Sequence, residues 1–132
     1  MIVLDTHTLI WWVDSPQKLS KKAKKAIEEE KANGKGILIS SISTFEIYLL
    51  IKKGKLELTN YPDVWLGKIE NLPFVKFVPV DNRIVASSVN LPDFPHKDPA
   101  DRIIIATALN TGAKVITADK KILDYPHVQS IW

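Results

Sequence analysis

The sequence predicts an α/β fold with a mostly parallel central sheet. Short apolar segments of strand length alternate along the 132 residues with longer stretches of helix-forming residues, a pattern typical of strands joined by helical crossovers and covered on both faces. The opening segment 2–5 is a continuous apolar run, Ile2-Val3-Leu4, closed by Asp5, which indicates a strand buried on both faces. Because no internal repeat or long linker interrupts the pattern, we expect a single domain over residues 1–132.

Each element has a local signal in the sequence. Apolar or alternating segments predict strands at 2–5, 36–40, 75–80, 114–117 and 128–131. Helix-forming segments predict helices at 8–13, 20–32, 43–53, 61–72, 81–90, 98–110 and 120–123. Turn and cap residues set the helix ends, and these are the Asp-Ser-Pro turn at 14–16, the glycines Gly34, Gly54 and Gly112, the N-cap candidates Asp81 and Asp98, and Pro99 at a first helical position.

Composition excludes several classes of protein. The chain has no cysteine, which excludes a disulfide framework, a thiolate zinc site and a cysteine nucleophile. No apolar run approaches the roughly 20 residues that a membrane helix needs, and Asp5 and His7 interrupt any N-terminal signal-like segment. We therefore expect a soluble, cytoplasmic protein without a membrane partner.

Positive charge is concentrated in two regions although the net charge is only +3. Residues 18–35 contain seven lysines against three glutamates, and Lys52, Lys53 and Lys55 form a second cluster. A basic surface around an acidic centre suits a polyanionic substrate. For the 18–35 segment alone, the simpler interpretation is a solvated helix face.

Four carboxylates lie beside apolar segments, and these are Asp5, Glu46, Asp101 and Asp119. Asp5 and Asp119 follow predicted strands, and in parallel sheets sites form beyond the carboxyl ends of the strands. Carboxylates that converge in apolar surroundings repel each other unless a cation lies between them. The pattern therefore predicts a divalent metal held by oxygen ligands.

Glu46 carries the strongest individual signal. On the predicted helix 43–53 its neighbours at three and four residues are Ile42, Ser43, Leu49 and Leu50, so it shares a face with expected core residues. A solvated helix face would not have this pattern, which favours a functional role for Glu46.

The aspartates also have structural explanations. Capping alone is sufficient to explain Asp98, and Asp101 at the third helical position would suit a capping box as well as a ligand role. Asp119 would cap the turn that follows it, and Asp5 would end a strand. The combination of carboxylates at one predicted sheet edge favours a common site over unrelated caps.

Four segments together resemble the PIN-domain ribonucleases of the VapC toxin type. They are Ile-Val-Leu-Asp-Thr-His-Thr-Leu-Ile-Trp-Trp (2–12), Ile-Ser-Ser-Ile-Ser-Thr-Phe-Glu-Ile (39–47), His-Lys-Asp-Pro-Ala-Asp-Arg-Ile-Ile-Ile-Ala-Thr-Ala (96–108) and Val-Ile-Thr-Ala-Asp-Lys (115–120). The matches run in order over essentially the whole chain, and the combination is specific although no single motif is.

The resemblance implies a three-layer α/β/α sandwich, a site with one or two Mg²⁺ or Mn²⁺ ions, a homodimer and inhibition by a small cognate antitoxin. It implies that Asp5, Glu46, Asp101 and Asp119 form the catalytic acidic quartet, with Asp98 as an additional acidic position. Carboxylate-held metal ions neutralise a phosphate, activate water and stabilise the leaving oxygen, so the expected reaction is hydrolysis of RNA phosphodiester bonds. The candidate RNA contacts are Thr6, Ser43, Arg102, Thr117, Lys52 and Lys53, although Arg102 would also suit a structural pair or an antitoxin contact, and the hydroxyl residues would equally suit polar element ends.

Two alternatives remain open from the sequence. A non-catalytic metal- or RNA-binding module on the same fold would carry the same residues. An aspartyl phosphatase would also begin with an apolar strand that ends in Asp5, but it usually has a second acid two residues later, where this chain has His7, and it has no role for Glu46.

Overall fold

The computed structural model describes residues 1–34 and 36–132. In these residues the sheet has five strands in the order β3-β2-β1-β4-β5, and every neighbouring pair is parallel. The strands are β1 (Ile2–Leu4), β2 (Ile37–Ser40), β3 (Val75–Val78), β4 (Lys114–Ile116) and β5 (Ser130–Ile131). The predicted mostly parallel sheet is confirmed.

Helices connect the strands as predicted, with boundaries within a few residues of the expected ones. They are α1 (Thr6–Asp14), α2 (Lys21–Asn33), α3 (Ser41–Lys52), α4 (Pro62–Glu70), α5 (Asn82–Val89), α6 (Pro99–Thr111) and α7 (Lys120–Leu123), with a 3₁₀ turn at Pro16–Lys18. Helix α1 begins two residues earlier than predicted because Asp5 is its N-cap. Strand β3 ends at Val78 rather than residue 80, since Pro79 follows and has no N–H to donate.

Helices cover both faces of the sheet. On one face, Leu4 and Ile39 pack against residues of α1–α4 such as Leu9 and Ile47. On the other face, Val3 and Val115 belong to a second cluster built around α6, and α5 packs against α6 from outside. The α/β/α sandwich is therefore confirmed. In the part of the chain that the structure describes, no helix is long and apolar enough to cross a membrane.

The order of the strands places a crevice between β1 and β4. From β1 the chain moves outward through β2 to β3, then crosses back over the sheet to β4 on the other side of β1. Where strand order reverses in this way, the connections leave neighbouring strand ends in opposite directions and open a crevice at the carboxyl edge. Asp5 directly follows β1, and Asp119 lies just beyond β4.

Candidate active site

A cavity of about 420 Å³ opens at this carboxyl edge. The acidic side chains that line it are Asp5, Glu46, Asp98, Asp101 and Asp119. Its other lining residues are Thr6, His7, Trp11, Ile104, Ala118 and Lys121. The structure thus brings together all five acidic residues that the sequence singled out.

Asp5 is held by both of its carboxylate oxygens. Oδ1 accepts the backbone N–H of Thr8 at 2.8 Å, which caps helix α1. Oδ2 accepts the hydroxyl of Thr117, which follows β4. The residue is only 8% exposed, so its orientation toward the cavity is fixed by two neighbouring elements.

Thr117 joins two of the carboxylates. Its hydroxyl donates to Asp5 and accepts the backbone N–H of Asp119 at 2.9 Å. The side chain is completely buried, so the structure gives Thr117 a positioning role, and its contact with RNA stays a prediction. It positions the acidic residues that flank β1 and β4.

Two hydroxyl groups fix the position of the Glu46 carboxylate, one directly and one through the other. The Thr6 hydroxyl donates to Glu46 Oε1, and it lies 2.9 Å from the Ser43 hydroxyl. Thr6 lines the cavity, as a substrate contact would require. Ser43 is completely buried and its hydroxyl supports Thr6, while its contact with RNA stays a prediction.

The sequence argument for Glu46 was partly wrong about its helix face. Leu49 is 38% exposed, whereas the buried residues of α3 are Ser43 and Ile47. Glu46 therefore lies at the border of the core, half-buried, with its carboxylate in the cavity.

Burial raises the pKa of Glu46 above its ordinary value. The negative charges of Asp98 and Asp101 raise it further, while the hydrogen bond from Thr6 and the neighbouring His7 oppose the shift. The folded protein thus holds a proton on Glu46 more tightly than the unfolded chain does.

Asp98 is confirmed as the N-cap of α6. Its Oδ1 accepts the backbone N–H groups of Ala100 at 2.9 Å and Asp101 at 3.3 Å. The Asp101 carboxylate is not part of this cap. Its Oδ2 accepts a hydrogen bond from the ammonium group of Lys121 at 2.8 Å. Burial raises the pKa of Asp101, and the bond from Lys121 reduces that shift.

Lys121 is the functional-site residue that the sequence did not indicate. Besides its bond to Asp101, its ammonium nitrogen lies 3.8 Å from Asp119 Oδ2. The pairing joins residues 20 positions apart on different elements, so no local pattern marks it. The only indication in the sequence was the carboxylate cluster itself, because converging carboxylates require a positive charge nearby.

Arg102 does not line the cavity, and its contacts favour the structural alternative. Its guanidinium donates to the backbone carbonyls of His96 at 2.7 Å, Ser88 at 3.1 Å and Phe94 at 2.7 Å. It also lies 5.4 Å from the centre of the Phe94 ring. These three bonds hold the guanidinium between the end of α5 and the loop before α6, and a contact of Arg102 with RNA stays a prediction.

The lysines at the end of α3 lie outside the acidic cavity. Lys52 and Lys53 are exposed, and at 1.5 Å per residue they lie roughly 10 Å along the helix axis from Glu46. Any contact of theirs with RNA would be to backbone flanking the cavity.

The donor set of the cavity fits a hard divalent cation. Carboxylate oxygens are preferred by Mg²⁺ and Mn²⁺, and five acidic residues share this cavity. Over residues 1–34 and 36–132, however, no three acidic or histidine side chains converge closely enough to form a ready-made metal site. The acids are instead held by Thr6, Thr117, Lys121 and backbone N–H groups.

We expect Arg102→Lys to lower the free energy of unfolding by about 1–3 kcal/mol, because one ammonium group cannot replace a planar fork that serves several carbonyls. Urea unfolding measures the change. Arg83→Lys is the matched control, since Arg83 is exposed. Equal stability of the two variants would contradict the structural role of Arg102.

We expect Glu46→Gln to raise the melting temperature of the metal-free protein by about 2–5 °C. A raised folded-state pKa means that ionisation of Glu46 opposes folding. The protonated carboxyl group therefore stabilises the fold below the pKa of the unfolded chain, and this contribution is lost as pH rises through the folded-state pKa. Calorimetry at pH 7 measures the difference, and it should shrink toward pH 4. Exposed Glu57→Gln is the control; a Glu46→Gln protein that melts lower than this control would contradict the electrostatic interpretation.

Comparisons with known proteins agree with this fold. The model of the PIN domain family matches residues 2–128. Ribonuclease VapC22 from Mycobacterium tuberculosis is 31% identical over 130 residues, which cover 98% of this chain and 95% of that protein.

Solved structures share the fold at lower identity. A chain of a toxin–antitoxin complex from Klebsiella pneumoniae superposes with a TM-score of 0.64 at 22% identity, over 100% of this chain and 97% of the other. VapBC2 from Rickettsia felis, bound to a promoter DNA fragment, gives 0.71 at 16% identity, over 99% and 98% of the two chains. With the family model matching nearly its whole length, this chain belongs to the PIN domain family.

Proposed function

We propose that this chain is a divalent-metal-dependent endoribonuclease that hydrolyses RNA phosphodiester bonds as the toxin of a toxin–antitoxin pair. The observation that carries the proposal is the convergence of five carboxylates on one cavity at the crevice between β1 and β4. Similarity to a protein named a ribonuclease, over almost the full length of both chains, supports the same reaction.

The acidic residues would hold one or two Mg²⁺ or Mn²⁺ ions. Asp5, Glu46, Asp101 and Asp119 are the proposed ligands, and Asp98 is an additional candidate whose capping bonds engage only one of its oxygens. A bound ion would neutralise the phosphate, activate the attacking water and stabilise the leaving oxygen.

The remaining residues orient this site. Thr117 and the N-terminus of α1 fix Asp5, while Thr6 fixes Glu46, so two acidic side chains are aligned before a ligand arrives. The negatively charged cavity would repel a phosphodiester that entered without a cation. We therefore place RNA entry after metal binding, with Lys52 and Lys53 as contacts for flanking backbone.

The alternatives are less well supported. An aspartyl phosphatase would have no role for Glu46, whereas the Glu46 carboxylate lines the same cavity as Asp5. A non-catalytic binding module would keep the acidic cavity but cleave nothing, and the cleavage experiment below separates it from a nuclease.

The proposal includes a small antitoxin and a homodimer as protein partners. Exposed apolar side chains offer surfaces for such contacts, namely Phe45, Tyr48 and Leu49 on α3, and Val85, Val89 and Leu109 on α5 and α6. Sedimentation equilibrium of the purified chain should give twice the mass of the 14.9 kDa monomer. A monomer at tens of micromolar would contradict the dimer.

We expect the wild-type protein to cleave a mixed RNA pool only when Mg²⁺ or Mn²⁺ is present, and Asp5→Asn and Glu46→Gln to lower the rate at least about 100-fold. Both changes remove a negative charge from the proposed ion site while nearly preserving side-chain size. Gel analysis of the RNA measures cleavage, and Glu57→Gln is the control. Metal-independent cleavage, or full activity of both site variants, would contradict the proposal; metal binding without cleavage of any structured or unstructured RNA would favour a binding module.

A further inference from the structure

Lys121 is a cation inside an acidic cavity. Among the described residues it is the only lysine or arginine that lines the cavity, where it faces five acidic side chains. Its ammonium nitrogen lies 2.8 Å from Asp101 Oδ2 and 3.8 Å from Asp119 Oδ2. It thus contacts two of the four carboxylates that would hold a metal ion.

We propose that Lys121 is a built-in counter-ion, which occupies the cation position between Asp101 and Asp119 and must leave it before a divalent ion binds there. The inference rests on the proposed metal site but concerns a step that precedes catalysis. It assigns Lys121 as a residue that sets metal affinity by competing with the ion.

The local electrostatics favour this role over that of an ordinary surface ion pair. An exposed pair contributes little because water screens both charges. Here the Asp101 side chain is only 17% exposed, and Asp98 and Asp119 add negative charge nearby. The ammonium group of Lys121 therefore lies against the acids whose charge it neutralises.

The geometry allows the side chain to leave without disturbing the site. The backbone N–H of Lys121 donates to Asp119 Oδ1 at 2.9 Å and so caps α7. This bond does not depend on the side chain. The ammonium group is carried on a flexible four-carbon stem, and the side chain is 39% exposed, so water can receive it when an ion takes its place.

The competition predicts a lower metal affinity for the cavity than its five acidic side chains alone would give. While Lys121 pairs with Asp101, part of the negative charge is neutralised and the acids need not converge on a common point. When the site is open for only a fraction of the time, the apparent Kd of the ligand equals its intrinsic Kd divided by that fraction. If the ammonium group occupies its position about 90% of the time, the apparent Kd is raised about tenfold.

The test measures Mn²⁺ binding to the full chain without RNA. The electron paramagnetic resonance signal of free Mn²⁺ reports how much of the ion is bound. We expect Lys121→Met to lower the apparent Kd about tenfold, because it removes the competing charge and keeps the backbone cap. Lys120→Met is the matched control, since it removes the same charge from an exposed neighbouring residue, and its Kd should stay within about twofold of the wild type.

A second measurement follows Lys121 in the wild-type chain itself and uses the variant only to assign its signal. Reductive ¹³C-methylation labels the lysines and keeps their charge, and the signal absent from Lys121→Met identifies Lys121. We expect this signal to shift on titration with Mg²⁺ and to saturate with the binding curve, while the Lys120 signal stays in place.

The outcomes separate this inference from the proposed function. Unchanged or weaker Mn²⁺ binding by Lys121→Met, or a Lys121 signal that does not respond to saturating Mg²⁺, would overturn the inference alone. Absence of Mn²⁺ binding by both proteins would overturn the inference together with the metal site. Tighter binding by Lys121→Met in a protein that cleaves no RNA would uphold the inference and contradict the nuclease.

Discussion

Electrostatic repulsion among five carboxylates around one cavity is the constraint on which the rest of this site depends. Three of them, Asp5, Asp98 and Asp119, are N-caps of α1, α6 and α7, so backbone N–H groups and helix dipoles offset part of their charge. Glu46 and Asp101 have no such cap, and burial raises the pKa of both. Ionisation of Glu46 and Asp101 is therefore less favourable in the folded protein than in the unfolded chain.

Burial in the hydrophobic core offsets the repulsion among the carboxylates and fixes the strands and helices that carry them. Strands β1 and β4 are buried on both faces, which holds their carboxyl ends side by side. Thr117 then connects Asp5 with Asp119 across those ends. Rigid placement of like charges opposes stability but prepares a site for a cation, a compromise that is common at functional sites.

The parts of the site that the sequence predicted have local causes. The signals for strand ends and helix caps depend only on residues close in sequence, such as Pro99 at the start of α6 and the αL glycine Gly112 at its end. The fold, the α6 cap and the shared edge of the acids were therefore predictable. The bonds of Lys121 to Asp101 and of Thr117 to Asp5 span 20 and 112 residues, and helical spacing carries no information about them. The structural contacts of Arg102 could not be chosen over its alternatives for the same reason, because its partners are backbone carbonyls, which any sequence supplies.

The most direct test of the metal centre is a crystal structure grown with Mn²⁺, with anomalous differences recorded at the manganese absorption edge. The expected result is a peak in the acidic cavity, bonded at about 2.0–2.6 Å to oxygen atoms of at least two of Asp5, Asp101 and Asp119, with the Lys121 ammonium group withdrawn from Asp101. An accessible cavity without a manganese peak at saturating Mn²⁺, with Lys121 still bonded to Asp101, would contradict it.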